Sequence, residues 1–193
     1  MVNIVTMMIL PLVIAFGLGV ASARYAISEF SGLDTVEASG WVAQPKTGTE
    51  ESDPYSRARI ARDAQIPLGG AEGLPFFASR DSSGEPLLLS CRYQVEGNVP
   101  TARLWTIYAV SDTAGIVTHP ARRVSALHSR QLVRKQDNSF VIRAGPVPEP
   151  GNWLALSGSG KFRLVLTLYD SPIAKRSDIS VIKLPQVSKI ACV

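Results

Sequence analysis

Phe162-Arg163-Leu164-Val165-Leu166-Thr167-Leu168-Tyr169 is the stretch on which the fold turns. Phe162, Leu164, Leu166 and Leu168 take alternate positions, with Arg163, Val165, Thr167 and Tyr169 between them. A period of two puts neighbouring side chains on opposite faces of a strand, so this pattern predicts a strand with one clean core stripe. Working outward, further strands are predicted over residues 74–80, 87–95, 102–110, 116–118, 140–142, 153–156 and 179–184. Fifteen Gly and thirteen Pro punctuate these runs as turn formers. Asp137-Asn138 is a hairpin-like turn pair before the 140–142 strand. Asp53-Pro54 predicts the one helix here, with Asp as cap and Pro at its first position; it ends before Pro67. Short strands with such punctuation predict a mainly β fold, a jelly-roll-like β-sandwich with one short helix. Keeping the helix apart from the strands excludes a regular βαβ fold.

Residues 4–23 carry no charge and are almost wholly apolar, and Arg24 closes the run. As a helix they would extend about 30 Å, roughly one bilayer core. This predicts an N-terminal transmembrane helix. Ala21-Ser22-Ala23 has the small-x-small form of a signal cleavage site. No Lys or Arg precedes the run, however, and it exceeds the usual signal core, so a retained anchor is the favoured reading. The expected organisation is a membrane anchor over 1–27, a tether over 28–40 and a β-sandwich domain over 41–193.

Two cysteines, Cys91 and Cys192, have no metal-ligand or CxxC spacing. Cys91 falls in a predicted strand and Cys192 one residue from the last, where a disulfide would pin the terminus. Two unrelated thiols are the alternative. A structural disulfide persists outside the reducing cytosol. The consistent localisation is the inner membrane, crossed once, with the domain in the periplasm. A net charge of +4 falls short of the dense basic face of a nucleic-acid binder.

From Pro150-Gly151-Asn152-Trp153-Leu154 through Gly160-Lys161-Phe162-Arg163-Leu164 to Leu168-Tyr169, the chain resembles the signature of the domain of unknown function 1214 family. Asp137-Asn138-Ser139-Phe140-Val141-Ile142 is similar to that family's Asp-Gly-Ser strand start. The resemblance covers residues 131–172 most specifically and implies a jelly-roll-like β fold, with no agreed activity. Two positions depart from the motif: Ala155-Leu156-Ser157 replaces a proline-bearing loop, and Thr167 stands where Arg is common.

No catalytic constellation is evident. Ser157-Gly158-Ser159-Gly160-Lys161 lacks the first glycine and the final hydroxyl of a phosphate loop. No Gly-x-Ser-x-Gly nucleophile elbow occurs. His119 and His128 lack zinc spacing and read as surface imidazoles. Asp170 and Asp178, or Glu50, Glu51 and Asp53, read as solvated loop carboxylates. No metal and no cofactor are expected. Asn152-Trp153 invites a sugar-stacking reading, but the favoured one buries Trp153 as a core plug while Asn152 holds the turn. Residues 113–136 contain Arg122, Arg123, Arg130, Arg134 and Lys135 with no acid. They form either a solvated loop or a basic face for anionic lipid, glycan or an acidic partner. The expected role is a non-enzymatic, membrane-anchored envelope module that binds a polymer or partner protein. The alternatives are an unrecognised enzyme acting on carbohydrate and a purely structural module. Opposing an imidazole to a carboxylate in a cleft would favour the enzyme.

Overall fold

The computed structural model describes residues 3–29, 35–62, 66–111, 115–121, 123–175, 179 and 181–192. Arg122 and Asp178, named above, lie outside the described residues. Helix α1 (Ile4–Glu29) is followed by strands β1 (Val36–Ala38) and β2 (Trp41–Ala43), then helix α2 (Pro54–Arg62). Next come β3 (Gly73–Ala78), β4 (Cys91–Gly97), β5 (Leu104–Ser111), β6 (Gly115–Ile116) and β7 (Ala126–His128). The series ends with β8 (Phe140–Gly145), β9 (Asn152–Ala155), β10 (Phe162–Tyr169) and β11 (Gln186–Cys192).

These strands form two sheets. The larger has the order β1-β2-β3-β10-β5-β6, with β7 also on β5; the smaller runs β11-β4-β8-β9. Phe76, Ile107, Phe162, Leu164 and Leu166 of the larger sheet share one core with Tyr93, Val95, Ile142 and Leu154 of the smaller. The chain is thus mainly β, with two sheets and two α-helices. Among the described residues the strand pairings are antiparallel except β8 with β9, which is parallel.

The quoted strand forms where expected, at the centre of its sheet between β3 and β5. Its outer face differs from expectation, because Val165 and Thr167 are buried as well. The loops flanking α2 bring Pro45, Pro67 and Leu68 over that face. Period-two reading sees only the strand itself and not what a distant loop lays upon it.

The predicted last strand is also corrected. Residues 181–185 form no strand, although Ile182 and Leu184 are buried. Their backbone is satisfied instead by the β1–β2 turn. Ser39 Oγ donates to the Ile182 carbonyl at 3.2 Å and accepts from the Leu184 NH at 3.3 Å. Trp41, 1% exposed, donates its indole NH to the Pro185 carbonyl at 2.7 Å. The closing strand is β11, antiparallel to β4 and fastened there by the Cys91–Cys192 disulfide. At the other end, β1 draws residues of the expected tether into the larger sheet.

Helix α2 starts as the sequence predicts. Asp53 Oδ1 accepts the NH groups of Tyr55 and Ser56, both at 3.0 Å. Hydrogen bonding from the Ser56 side chain, aided by these NH groups, holds the Asp53 carboxyl below its ordinary value. Arg59 Nε donates to the Ile27 carbonyl at 3.2 Å and docks α2 on the end of α1. The span Ile4–Ile27 is long and apolar enough to cross a membrane, a test that a secretory signal also passes.

Candidate functional site

The smaller sheet presents a polar outer face. Ser188, Gln94, Arg143 and Trp153 are successive register partners across β11, β4, β8 and β9. Directly opposed residues of a pleated sheet share a face. On either side of this row, Ile142, Ala144 and Leu154 point into the core. The sequence expectation for Trp153 is therefore corrected: it is a half-buried residue of the outer face, while Leu154 fills the core. The alternation along β9 decides this, since Asn152 must point inward for its amide to work.

Asn152 does hold the chain, as expected. Its Nδ2 donates to the Val133 and Val141 carbonyls at 2.8 and 2.9 Å, and its Oδ1 accepts the Val133 NH at 2.8 Å. Gly151 before it has φ of 86°, a conformation that side chains disfavour, so glycine suits this turn. Pro150 is exposed on the same turn. Tyr169, the last residue of the family motif, ends β10 opposite Gly73 and Leu104, away from Trp153.

Trp153 is held in a fixed pose. Its Nε1 donates to the Gly145 carbonyl at 3.1 Å, and the His119 ring packs edge-on with centroids 6.3 Å apart. Arg143 lies beside it, and Glu149 bridges Arg143 and Arg92, at 3.8 Å from Arg143 Nε and 3.1 Å from Arg92 Nη1. Two guanidinium groups against one carboxylate leave a net positive charge beside the indole. The loop carrying His119 is closed by Ser125, whose Oγ accepts the His119 NH at 3.0 Å and donates to the Arg123 carbonyl at 3.3 Å. That brings the exposed Arg123 to this rim.

Two residues of the expected basic face, Arg134 and Lys135, are engaged in internal contacts. Arg134 Nη1 donates to the Asn138 carbonyl at 3.0 Å, and the guanidinium sits 5.9 Å from the Phe140 ring centroid and 6.0 Å from that of Trp105. It closes the turn before β8. Lys135 pairs with Glu96, and that hydrogen bond lowers the Glu96 pKa and raises that of Lys135. Arg130 is exposed. Sequence reading treats the run as one surface because charge is visible in sequence and partners are not.

Among the described residues neither histidine opposes a carboxylate in a hydrogen bond or ion pair. His119 packs on Trp153, and His128 Nδ1 is buried without a hydrogen-bond partner. Ser157 Oγ donates to the Thr118 carbonyl at 2.7 Å in the loop between β9 and β10, which leads into a strand.

A family model described as "Protein of unknown function (DUF1214)" matches residues 72–173, just over half of the chain. Among solved structures, the VPA0106 protein from Vibrio parahaemolyticus is similar with a TM-score of 0.62 at 14% identity. The match covers 90% of this chain and 43% of that one. A putative uncharacterized protein from Burkholderia cenocepacia gives a TM-score of 0.49 at 16% identity, covering 93% and 43%. The chain therefore spans less than half the length of these solved relatives, and the first likeness is one of fold. No match is found among the curated proteins.

Proposed function

The chain belongs to the DUF1214 family of unknown function, and from that premise we propose that it is a membrane-tethered binding module of the cell envelope. In this reading α1 crosses the inner membrane once, and a jelly-roll-like sandwich stands on the periplasmic side. The Cys91–Cys192 disulfide supports an oxidising compartment. The bound partner is an anionic envelope polymer, taken up along the outer face of the smaller sheet.

The observation that carries the reading is the pose of Trp153. An indole left partly at the surface, with its NH already satisfied by Gly145, is a stacking face that loses little freedom on binding. Arg143 and Arg92 place charge beside it, and Arg123 extends that charge along the rim. An open sheet face carrying arginines beside an aromatic ring suits a chain-like ligand better than an enclosed small molecule.

The test is co-sedimentation of the full chain, in detergent micelles, with purified peptidoglycan sacculi. Trp153→Ala and Arg143→Ala should each weaken binding roughly tenfold, equivalent to about 1.4 kcal/mol. Adding Arg123→Glu should weaken it further and flatten the salt dependence. Equal retention of all variants, or no retention of the unaltered chain, would overturn the proposal.

A further inference from the structure

The larger sheet leaves its own outer face with polar groups unanswered. Thr167, Thr106 and His128 stand side by side across β10, β5 and β7. Thr106 Oγ1 and His128 Nδ1 are buried without a hydrogen-bond partner, and Thr167 is 3% exposed. Buried polar atoms are almost always paired in folded proteins, so these two orphaned atoms mark the face as unusual, and of the three residues Thr167 borders the space beside it. Next to this row lies a cavity of about 290 Å³. Pro45, Pro67, Leu68 and Pro75 give it apolar lining, and Gln44, Thr47, Tyr108, Thr167 and Tyr169 add polar groups. Ile66, 95% exposed, stands on its rim.

The lining excludes most ligand classes. Among the described residues no Asp, Glu, Lys or Arg side chain borders the cavity, so an ion would find no counter-charge from them. Its size sits at the lower limit of small-molecule sites, roughly 300–1,000 Å³. Burial, with a smaller effect from neighbouring Tyr169, pushes the Tyr108 phenol above its ordinary value of 10.0, so at neutral pH it remains a hydrogen-bond donor. Apolar lining with a few hydroxyls and an amide suits an uncharged guest.

We propose that this cavity binds a small uncharged molecule with an apolar body and one hydroxyl or carbonyl head, the head bonding to Thr167 and Tyr108. The site lies on the other sheet from Trp153 and stands or falls independently of polymer binding.

The experiment uses the full chain in lipid nanodiscs, with the methyl resonances of Leu68 and Leu74 as reporters. Three probes that share a tolyl body are titrated: p-cresol, toluene and p-toluate, with p-methylbenzamide as a neutral control for the size of the last. Saturable shifts with p-cresol are expected, with toluene roughly tenfold weaker, the worth of one hydrogen bond, and p-toluate excluded. Thr167→Val, which keeps shape and removes the hydroxyl, should retain toluene binding and abolish the preference for p-cresol. Leu68→Trp, which enlarges a lining residue to fill the cavity, should abolish p-cresol shifts at Leu74. Absence of saturable shifts in the unaltered chain would overturn the proposal. So would a p-cresol preference that survives Thr167→Val or binding that survives Leu68→Trp. Should Thr167→Val fail to fold, the probe series and Leu68→Trp still decide it.

Discussion

Replacing Cys192 by Ser isolates what the disulfide contributes. Cys91 is 1% exposed, so its thiol stays in place as a small buried apolar group; Cys192 is exposed, and its loss empties no core space. The linked residues are 101 apart in sequence. In the chain-entropy model a loop of that length stabilises by about 4.7 kcal/mol at 25 °C. For a domain of this size each kcal/mol is worth roughly 2–4 °C, giving a fall in melting temperature of about 9 to 19 °C. Fraying reduces this figure. Val187 and the Trp41–Pro185 hydrogen bond anchor the start of β11, whereas Lys189 and Ile190 are exposed and depend on the link. The assay is thermal unfolding of the full chain in micelles, followed by tryptophan fluorescence. Unaltered chain treated with reductant serves as an independent route to the same unlinked state. Both should fall within the stated window and agree with each other. A Cys192→Ser melt within about 2 °C of the oxidised chain, a shift worth under ~1 kcal/mol, would refute the idea that this bond constrains the unfolded ensemble.

Two further outcomes follow from local geometry. Asn152→Ala strips partners from the Val133 NH and from the Val133 and Val141 carbonyls, and chemical denaturation should register a loss of about 2–3 kcal/mol. Asp53→Ala removes the α2 cap and should cost about 1 kcal/mol at neutral pH. Because the folded Asp53 pKa lies below its ordinary 3.8, the carboxylate stabilises the fold above that value and ceases to as pH falls through the depressed one. The difference between Asp53→Ala and the unaltered chain should therefore shrink in acid; a constant difference down to pH 2 would contradict the capping account.

How far the sequence could be read depended on whether a feature was local. Alternation in 162–169 and the Asp53-Pro54 start of α2 are set by neighbours a few residues away, and both appear where expected. Residues 179–184 are apolar enough to resemble a strand, but Ser39 and Trp41, some 145 residues earlier, hold that backbone in another conformation. Gln186-Val187-Ser188-Lys189-Ile190 carries a partial alternation that could have revealed β11. Arg134 and Lys135 count as surface charge in sequence, yet Asn138, Phe140 and Glu96 absorb them.

By itself the sequence determined the mainly β class, the apolar N-terminal helix, the family and the pair of cysteines. Each rests on periodicity, composition or a contiguous motif, which survive without knowledge of contacts. The tertiary structure alone decided which faces are covered, that Trp153 lies outward and Leu154 inward, and that Thr167 borders a cavity. Those outcomes depend on loops folding back from distant positions, because burial is a property of what arrives over a residue and not of the residue.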